Sequence, residues 1–402
     1  MNVSGLKTLM VVDNEFVGDP RVFNEATILS KEGVKVDVLC FSFGRLPLYE
    51  EVNGLKVYRT KIRRSLKNYL FSAMTTIPLY HYYWSRIIEK QIEISKPDVL
   101  HVHDLYMAKS AYLATRRQKI PIILDLHENF PAVILTYNWA NKFPKRLIVK
   151  PKRWRELEET FLLYADKIVV LSSGYRDDLI RKFKSLDQSR FCIYPNVPDI
   201  HTLLSYPVDP HILDDFDGTT LFYFGVIAER RGIFTTIKAL QALLKKNYKV
   251  RLLLIGPVDK VDQQSFYSAI GQPDVKDFIV YYPWKDISAL PSYVLKSTIC
   301  LSPIVKNEQH ESGIANKVFQ YLLFKRPVVV SDCKPQLETI NRYKCGLVFE
   351  SENSDDLALK IEQLIVNPSL REEMGENGRK AVNEHFNIER FKENLIDLYR
   401  SI

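Results

Sequence analysis

Leu221-Phe-Tyr-Phe-Gly-Val-Ile-Ala-Glu-Arg-Arg-Gly232 is an apolar run that ends at Gly225 and delivers two arginines and a second glycine to a turn. The apolar positions that follow, Ile233, Ile237, Leu240, Leu243 and Leu244, recur at helical spacing, so a helix starts just after Gly232. Strand, turn and amphipathic helix make one βα unit, the building block of a parallel sheet covered by helices. The same geometry gathers guanidinium groups and helix-start amides around one anion, which suits a phosphate. By itself the segment reads equally as a plain βα unit with two solvated arginines. A second segment, Asn316-Lys-Val-Phe-Gln-Tyr-Leu-Leu-Phe-Lys-Arg-Pro-Val-Val-Val-Ser331, reads as another helix followed by a buried strand and extends the pattern.

Working outward, short β-branched runs alternate with amphipathic segments along the whole chain. Leu6 to Asp13, Val34 to Phe41, Val99 to Val102, Ile120 to Leu126 and Lys167 to Leu171 read as strands in the first half. Leu221 to Phe224, Val250 to Ile255, Phe278 to Tyr281, Ser297 to Leu301, Val328 to Ser331 and Gly346 to Phe349 do so in the second. The pattern pauses between Tyr194 and Gly218, where Pro195, Pro198, Pro207 and Pro210 crowd together with Asp214, Asp215 and Asp217. The expectation is an α/β protein of two doubly wound Rossmann-like domains facing a central cleft. Its domains span 1–200 and 218–380, joined by a linker over 201–217 and closed by a C-terminal helix over 381–402 that crosses back to the N-terminal domain.

With 402 residues, 46% hydrophobic and 26% charged, the chain has the composition of a globular protein with room for two cores. The formal charge of +8 points to an acidic partner, whether nucleic acid, an anionic membrane surface or a phosphorylated small molecule. The five cysteines are scattered without metal-ligand spacing, and Leu6-Lys-Thr-Leu-Met-Val-Val-Asp13 lacks the layout of a signal peptide, so a reducing, cytoplasmic setting is expected. In that setting the glycosylation acceptor Asn2-Val-Ser4 is inert.

Ligands of doubly wound sheets sit at the carboxyl ends of the strands. After the first strand comes Asp13-Asn-Glu-Phe-Val-Gly-Asp-Pro-Arg-Val22, where Gly18 lets the backbone approach a ligand, Asp19 caps and Pro20 opens a helix. Two further strand ends carry His101-Val-His103-Asp104 and Asp125-Leu-His127-Glu128. These groups lie on separate segments without a recognised ligand motif, so no metal is expected and His127 is read as a hydrogen-bonding group in a cleft or an inert capped histidine. No Gly-x-Ser-x-Gly elbow, Gly-x-x-x-x-Gly-Lys-Ser/Thr loop or Gly-x-Gly-x-x-Gly fingerprint occurs, which weighs against hydrolase, nucleoside triphosphatase and dehydrogenase functions.

Asp19-Pro-Arg-Val22, Asp125-Leu-His-Glu128, Tyr194-Pro-Asn196, Gly225 through Gly232, and Lys317-Val-Phe-Gln-Tyr321 before Pro327-Val-Val occur in this order across the chain. Together they resemble the family 4 glycosyltransferases of the two-domain GT-B fold. The tail from Met374-Gly375 through Phe386 to Tyr399 is similar to that family's closing helices. The resemblance implies retaining transfer of a sugar from a nucleotide diphosphate sugar to an acceptor, with no cofactor and no metal-binding Asp-x-Asp. It places Arg231 at the donor diphosphate with Arg230 as a second contact, Gly18 in the first loop near the diphosphate, and His127 against the transferred sugar. Amides from Gly313 to Asn316 hold phosphate, and a donor phosphate oxygen accepts the acceptor's proton. Glu311, Asn316, Lys317 and Gln320 complete the donor-binding set.

The chain departs from the family pattern at two places. Ser312 and Gln320 stand where the family commonly has two glutamates separated by seven residues, the second of which holds the ribose. Gln320 hydrogen-bonds a diol without charge assistance, and Glu311 lies one residue from the first position. These departures motivate the rival of a non-catalytic member that binds nucleotide or partners. A sugar-nucleotide epimerase or a phosphorylase is a third possibility of the same fold.

For the acceptor, two N-terminal segments stand out. Between Lys67 and Arg86 no charged residue occurs while Leu70, Phe71, Met74, Ile77, Leu79, Tyr80, Tyr82, Tyr83 and Trp84 supply apolar surface, with Arg63, Arg64 and Lys67 before them. Lys142 to Arg155 includes Lys150, Lys152 and Arg153 and holds no acid. Such a face suits docking to the anionic inner leaflet of the plasma membrane and a lipid-pyrophosphate acceptor; core aromatics plus a solvated basic loop fit equally. The expected function is a cytoplasmic, membrane-peripheral, retaining glycosyltransferase of surface polysaccharide or glycolipid synthesis. Its donor is a UDP- or GDP-sugar and its acceptor a saccharide or lipid-linked saccharide. Nucleic-acid binding ranks lower, since no nucleic-acid-binding fold signature accompanies the charge.

Overall fold

Runs of Val, Ile and Leu that are apolar on both faces form strands covered by helices on either side, and in this protein they assemble two separate sheets. The computed structural model describes residues 3–141, 143, 145–213 and 215–402, so Asn2, Lys142 and Asp214 lie outside the described residues. The first sheet contains β1 (Lys7–Val11), β2 (Lys35–Ser42), β3 (Tyr49–Val52), β4 (Leu55–Lys61), β5 (Val99–His103), β6 (Ile122–Asp125), β7 (Lys167–Val170) and β8 (Phe191–Ile193). Their spatial order is β3-β4-β2-β1-β5-β6-β7-β8, parallel throughout except for β3 against β4. Winding leaves β1 in one direction through β2 and in the other through β5, so the switch point lies between β1 and β5.

The second sheet contains β9 (Thr219–Phe224), β10 (Val250–Ile255), β11 (Ile279–Tyr282), β12 (Ile299–Ser302), β13 (Val328–Ser331) and β14 (Gly346–Phe349). Its order is β11-β10-β9-β12-β13-β14, all parallel, with the switch point between β9 and β12. Both sheets have the doubly wound α/β architecture expected from the sequence. Three strands lie outside the expected set. β3 and β4 form an edge hairpin closed by Asn53-Gly54, both with positive φ (52° and 82°), the Asn-Gly turn whose twist matches antiparallel strands. The third, β8, is three residues long.

The chain divides into one unit ending at Pro195 and joined by Phe391–Ile402, and another over Asn196–Arg390. Residues of the expected linker 201–217 thus group with the second unit. Part of that stretch, Ile200–Ser205, is helical because the Asp199 side chain caps it at the His201 and Thr202 amides. The helix Ile388–Arg400 buries Leu395, Ile396, Leu398 and Tyr399, and the Tyr399 hydroxyl meets Thr8 Oγ1 of β1 at 3.1 Å and His101 Nδ1 of β5 at 2.9 Å. The aromatic stretch 70–84 splits between interior and exterior. Met74, Tyr80 and Trp84 join the first core, whereas Ile77, Leu79 and Tyr82 remain exposed.

Candidate functional site

In the first unit the loops after β1, β5 and β6 meet around one buried carboxylate. The helix Pro20–Lys31 is started by Asp19, which accepts from the Val22 amide, and by Pro20 at its first position. That start turns Arg21 inward, where Nε and Nη2 each reach Asp125 at 2.7 Å and Nη1 donates to the Tyr194 carbonyl at 2.9 Å. Asp125 Oδ2 also lies 3.3 Å from His103 Nδ1 and 3.1 Å from His127 Nε2. A fork–fork arginine pair in a fully buried place is a strong, directional interaction. Burial alone raises the Asp125 pKa, but Arg21 and His127 outweigh it and hold the carboxyl well below the ordinary range.

His127 is the member of this group that retains exposure, 19% of its side chain. Burial opposes its charged form, yet Asp104, Asp125 and the hydrogen bond to Asp125 lift its pKa to about 10. At neutral pH it is an imidazolium, with Nε2–H committed to Asp125 and Nδ1–H left as a donor. In that form it is a hydrogen-bond donor and holds no lone pair with which to act as a base. His103, whose own pKa is lowered by burial, brings its Nδ1 to 3.3 Å from Asp125 Oδ2 and 3.0 Å from the same His127 Nε2. Gly18, in the loop before the helix, has φ of 84° and no atom within 4 Å of where a side chain would begin, so that backbone is open to approach.

Glu25, His101, His103 and Asp125 bring ligand-type atoms within 4.8 Å of one another. The tertiary structure thus unites groups that the sequence keeps on separate segments. Arg21 bonds Asp125 at both oxygens and sits 3.2 Å from Glu25, supplying the cation these carboxylates call for. Burial and the Asp125 charge push the Glu25 pKa well above its ordinary value, which favours the neutral form. A cavity of about 540 Å³ near Lys7, Lys35, Asp37 and Lys56 lies at the amino ends of β1, β2 and β4, away from these loops.

In the second unit the carboxyl ends of β9 and β12 carry the basic groups. Gly225 closes β9 with φ of 130°, and a side chain there would begin 2.9 Å from Lys317 Nζ. Glycine at this point leaves room for the lysine, which lies 3.8 Å from the Tyr223 ring centroid. Among the described residues Lys317 has no carboxylate partner, and burial followed by the nearby Arg231 holds its pKa well below the ordinary lysine value. Arg231 likewise has none; its Nη1 lies 3.4 Å from His310 Nε2. His310 Nδ1 is 2.6 Å from the Val305 carbonyl, which requires a proton on Nδ1 and leaves Nε2 to accept from Arg231. Burial pushes the His310 pKa down to about 4, so this tautomer is neutral and orients Arg231.

Four of the expected site residues have partners within the protein. Arg230 is held by Asp259 at 2.7 Å, whereas Lys317, close to Arg231, has no carboxylate partner among the described residues. Glu311 accepts the Lys334 amide at 3.1 and 3.2 Å and caps the helix Lys334–Tyr343, whose own N-cap residue, Cys333, makes no side-chain cap bond. Lys67 bonds the buried Asp13 carboxylate at 2.8 Å and is withdrawn from the basic exterior. Arg153 Nη1 donates to the Thr75 carbonyl at 2.7 Å and ties a loop down. Ser312 is buried and donates to the Gln309 carbonyl at 2.6 Å. Gln320 and Asn316 lie on the helix Asn316–Leu323, where Asn316 Oδ1 is a buried acceptor without a donor. Arg63, Arg64, Lys150 and Lys152 are exposed. Arg21, Asp125 and Tyr399 stand within the quoted motifs and His310 outside them, but their partners are distant in sequence, so the motifs alone do not show what they bond.

Residues 21–201 match the family described as Glycosyltransferase Family 4, and residues 214–381 match Glycosyl transferases group 1. The chain belongs to the family 4 glycosyltransferases. It is 26% identical over 188 residues to the capsular polysaccharide biosynthesis glycosyltransferase CapM of Staphylococcus aureus, a stretch that covers 46% of this chain and 47% of that protein. The match thus spans about half the length of that relative. In fold this glycosyltransferase is similar to the sucrose-phosphate synthase of Thermosynechococcus elongatus (TM-score 0.75, 17% identity, 98% of both chains). It is also similar to Anabaena Alr3699/HepE solved in complex with UDP (TM-score 0.71, 12% identity, 99% of this chain and 100% of that one). Both likenesses establish the GT-B arrangement of two Rossmann-like domains.

Proposed function

We propose that this family 4 glycosyltransferase moves a sugar, with retention, from a nucleotide diphosphate sugar to a saccharide or lipid-linked saccharide in surface polysaccharide or glycolipid synthesis. The observation that carries the reading is the pair Arg231 and Lys317 at the carboxyl end of β9, two basic side chains without carboxylate partners among the described residues, beside a glycine turn. Unpaired charge in a half-buried place is costly unless a ligand neutralises it, and a diphosphate carries the matching charge. These cations, with amides at the start of the helix Asn316–Leu323, stabilise the leaving diphosphate without a metal. In the first unit His127, as an imidazolium, offers Nδ1–H to the transferred sugar. The acceptor attacks from the donor's own face, and a donor phosphate oxygen takes its proton. CapM's role in capsular polysaccharide supports the product class, and the UDP complex of HepE makes UDP-sugars the first donors to test. The five buried free thiols support a reducing, cytoplasmic setting.

A second reading, a non-catalytic nucleotide binder, is favoured by Gln320 in the glutamate position and by Ser312 and Glu311 being engaged elsewhere. Calorimetric titration with UDP-, GDP- and ADP-sugars in the presence of chelator separates the cases. Binding of one class, lost in Arg231→Ala, supports the donor site; unchanged affinity in that variant sinks it. Binding without turnover against any lipid-linked or saccharide acceptor favours the second reading.

A further inference from the structure

The first unit carries a face built mainly from two acid-free segments distant in sequence. Residues 61–86 and 138–155 contain no Asp or Glu. The fold joins them: Thr75 Oγ1 and Thr76 Oγ1 donate to the Val149 and Ile148 carbonyls, each at 2.7 Å, and Arg153 clasps the Thr75 carbonyl. On this face Leu66, Tyr69 (66% exposed), Ile77, Leu79 and Tyr82 project from the helices Arg64–Ala73 and Leu79–Ser95 and the turn between them. Leu147 (57% exposed) and Ile148 continue it on the helix Arg146–Val149. An open groove of about 920 Å³ runs between the two longer helices, floored by Leu70, Leu79, Tyr82, Tyr83 and Ile87, with Arg86 and Lys90 among its charges and Glu89 and Glu93 also at its border. Contiguous exposed apolar side chains of this number on a water-facing surface mark a contact.

We propose that this face docks onto an anionic lipid bilayer, with the apolar side chains entering the headgroup boundary and the surrounding cations meeting lipid phosphates. The choice of occupant rests on charge complementarity. Arg63, Arg64, Lys145, Arg146, Lys150 and Lys152 are exposed on these segments and outnumber Glu89 and Glu93 at the groove, an excess of positive charge that would repel a second copy of the same face. Binding is peripheral, since no helix among the described residues is long and apolar enough to cross a membrane. Two weak contributions, apolar insertion and electrostatic attraction, together make a stable yet salt-sensitive anchor. The proposal names a partner for the glycosyltransferase and stands independently of the donor assignment.

Flotation of the full chain with phosphatidylglycerol-containing vesicles tests it, with phosphatidylcholine vesicles as the comparison. The expected result is binding to the anionic vesicles alone, weakened by added salt. A variant with Lys145, Arg146, Lys150 and Lys152 changed to Gln loses roughly fivefold per cation removed. A second variant, Leu147→Gln with Tyr82→Ser, alters exposed side chains only and also releases the protein. Failure of the parent to float, equal binding to neutral vesicles, or retained binding in both variants overturns the proposal. So does light scattering that shows a dimer which both variants convert to monomer, because the face then joins two copies. Calorimetry with UDP on the same samples reports the donor site separately, so failure of one assignment is not mistaken for failure of the other.

Discussion

Lys317 shows how one residue ties stability to function. Its pKa in the folded chain lies well below the ordinary 10.5, through burial first and then Arg231. The unfolded chain therefore binds more protons over that window, and this group's contribution to stability rises with pH through it. A bound diphosphate favours the charged form and so draws this pKa back up toward the ordinary value. We expect Lys317→Met to raise the Tm at neutral pH while UDP affinity falls at least about tenfold, roughly 1.4 kcal/mol. Thermal scans with and without UDP read both; an affinity equal to the parent's contradicts the role. Asp125 shows the converse sign through His127, whose folded pKa of about 10 lies above the ordinary 6.5. Its contribution is fully present below 6.5 and is lost as pH climbs toward 10. Asp125→Asn should return His127 toward its ordinary titration, read from imidazole nitrogen shifts. Because it also deprives Arg21 of its fork partner, it should cost about 3–5 kcal/mol. A His127 that still titrates near 10 would show that Asp125 does not set its charge. Arg231 and His127 were legible as residue types at strand ends and Lys317 at a helix start. Which of them keep an unspent charge was not, since pairing depends on Asp259, His310 and Asp104, none of them adjacent in the motifs.

At the scale of elements, the glycine that ends a turn decides how closely two segments approach. A side chain at Gly232 would begin 1.7 Å from the Pro303 carbonyl oxygen, and its φ is 73°. Gly232→Ala should therefore destabilise the second unit by more than about 2 kcal/mol, measured by urea unfolding. At Gly18, with no atom within 4 Å, only the φ of 84° opposes a side chain, so Gly18→Ala should cost about 1 kcal/mol. Equal costs at the two sites would mean that contact with Pro303 is not what limits Gly232. Elements with long apolar runs, such as β10 and the helix Ile233–Lys245, were legible because burial on several sides leaves a strong periodic signal. The hairpin β3–β4 was less so, because at a sheet edge half its residues face solvent and its alternation is weak. Its one clear mark was Asn53-Gly54.

At the scale of the whole molecule, the last helix closes the first unit through Tyr399, buried against Thr8 and His101. Removing residues 391–402 takes the buried Leu395, Ile396 and Leu398 side chains away from the first unit and deprives His101 Nδ1 of its Tyr399 partner. We expect the first unit to lose its cooperative unfolding transition while nucleotide binding by the second persists. Two transitions unchanged from the parent would show that the helix is dispensable. The sequence by itself determined that the chain is α/β and doubly wound and where its strands end, because hydrophobic periodicity and turn residues act within a few positions of one another. It also marked the basic turn at Arg231 and the histidine at position 127. Tertiary structure alone decided which charges are spent inside the protein and which remain for a ligand. Coulombic pairing and burial depend on distance in space, and residues such as Arg21 and Asp125, or Thr76 and Ile148, are neighbours only after the chain has folded.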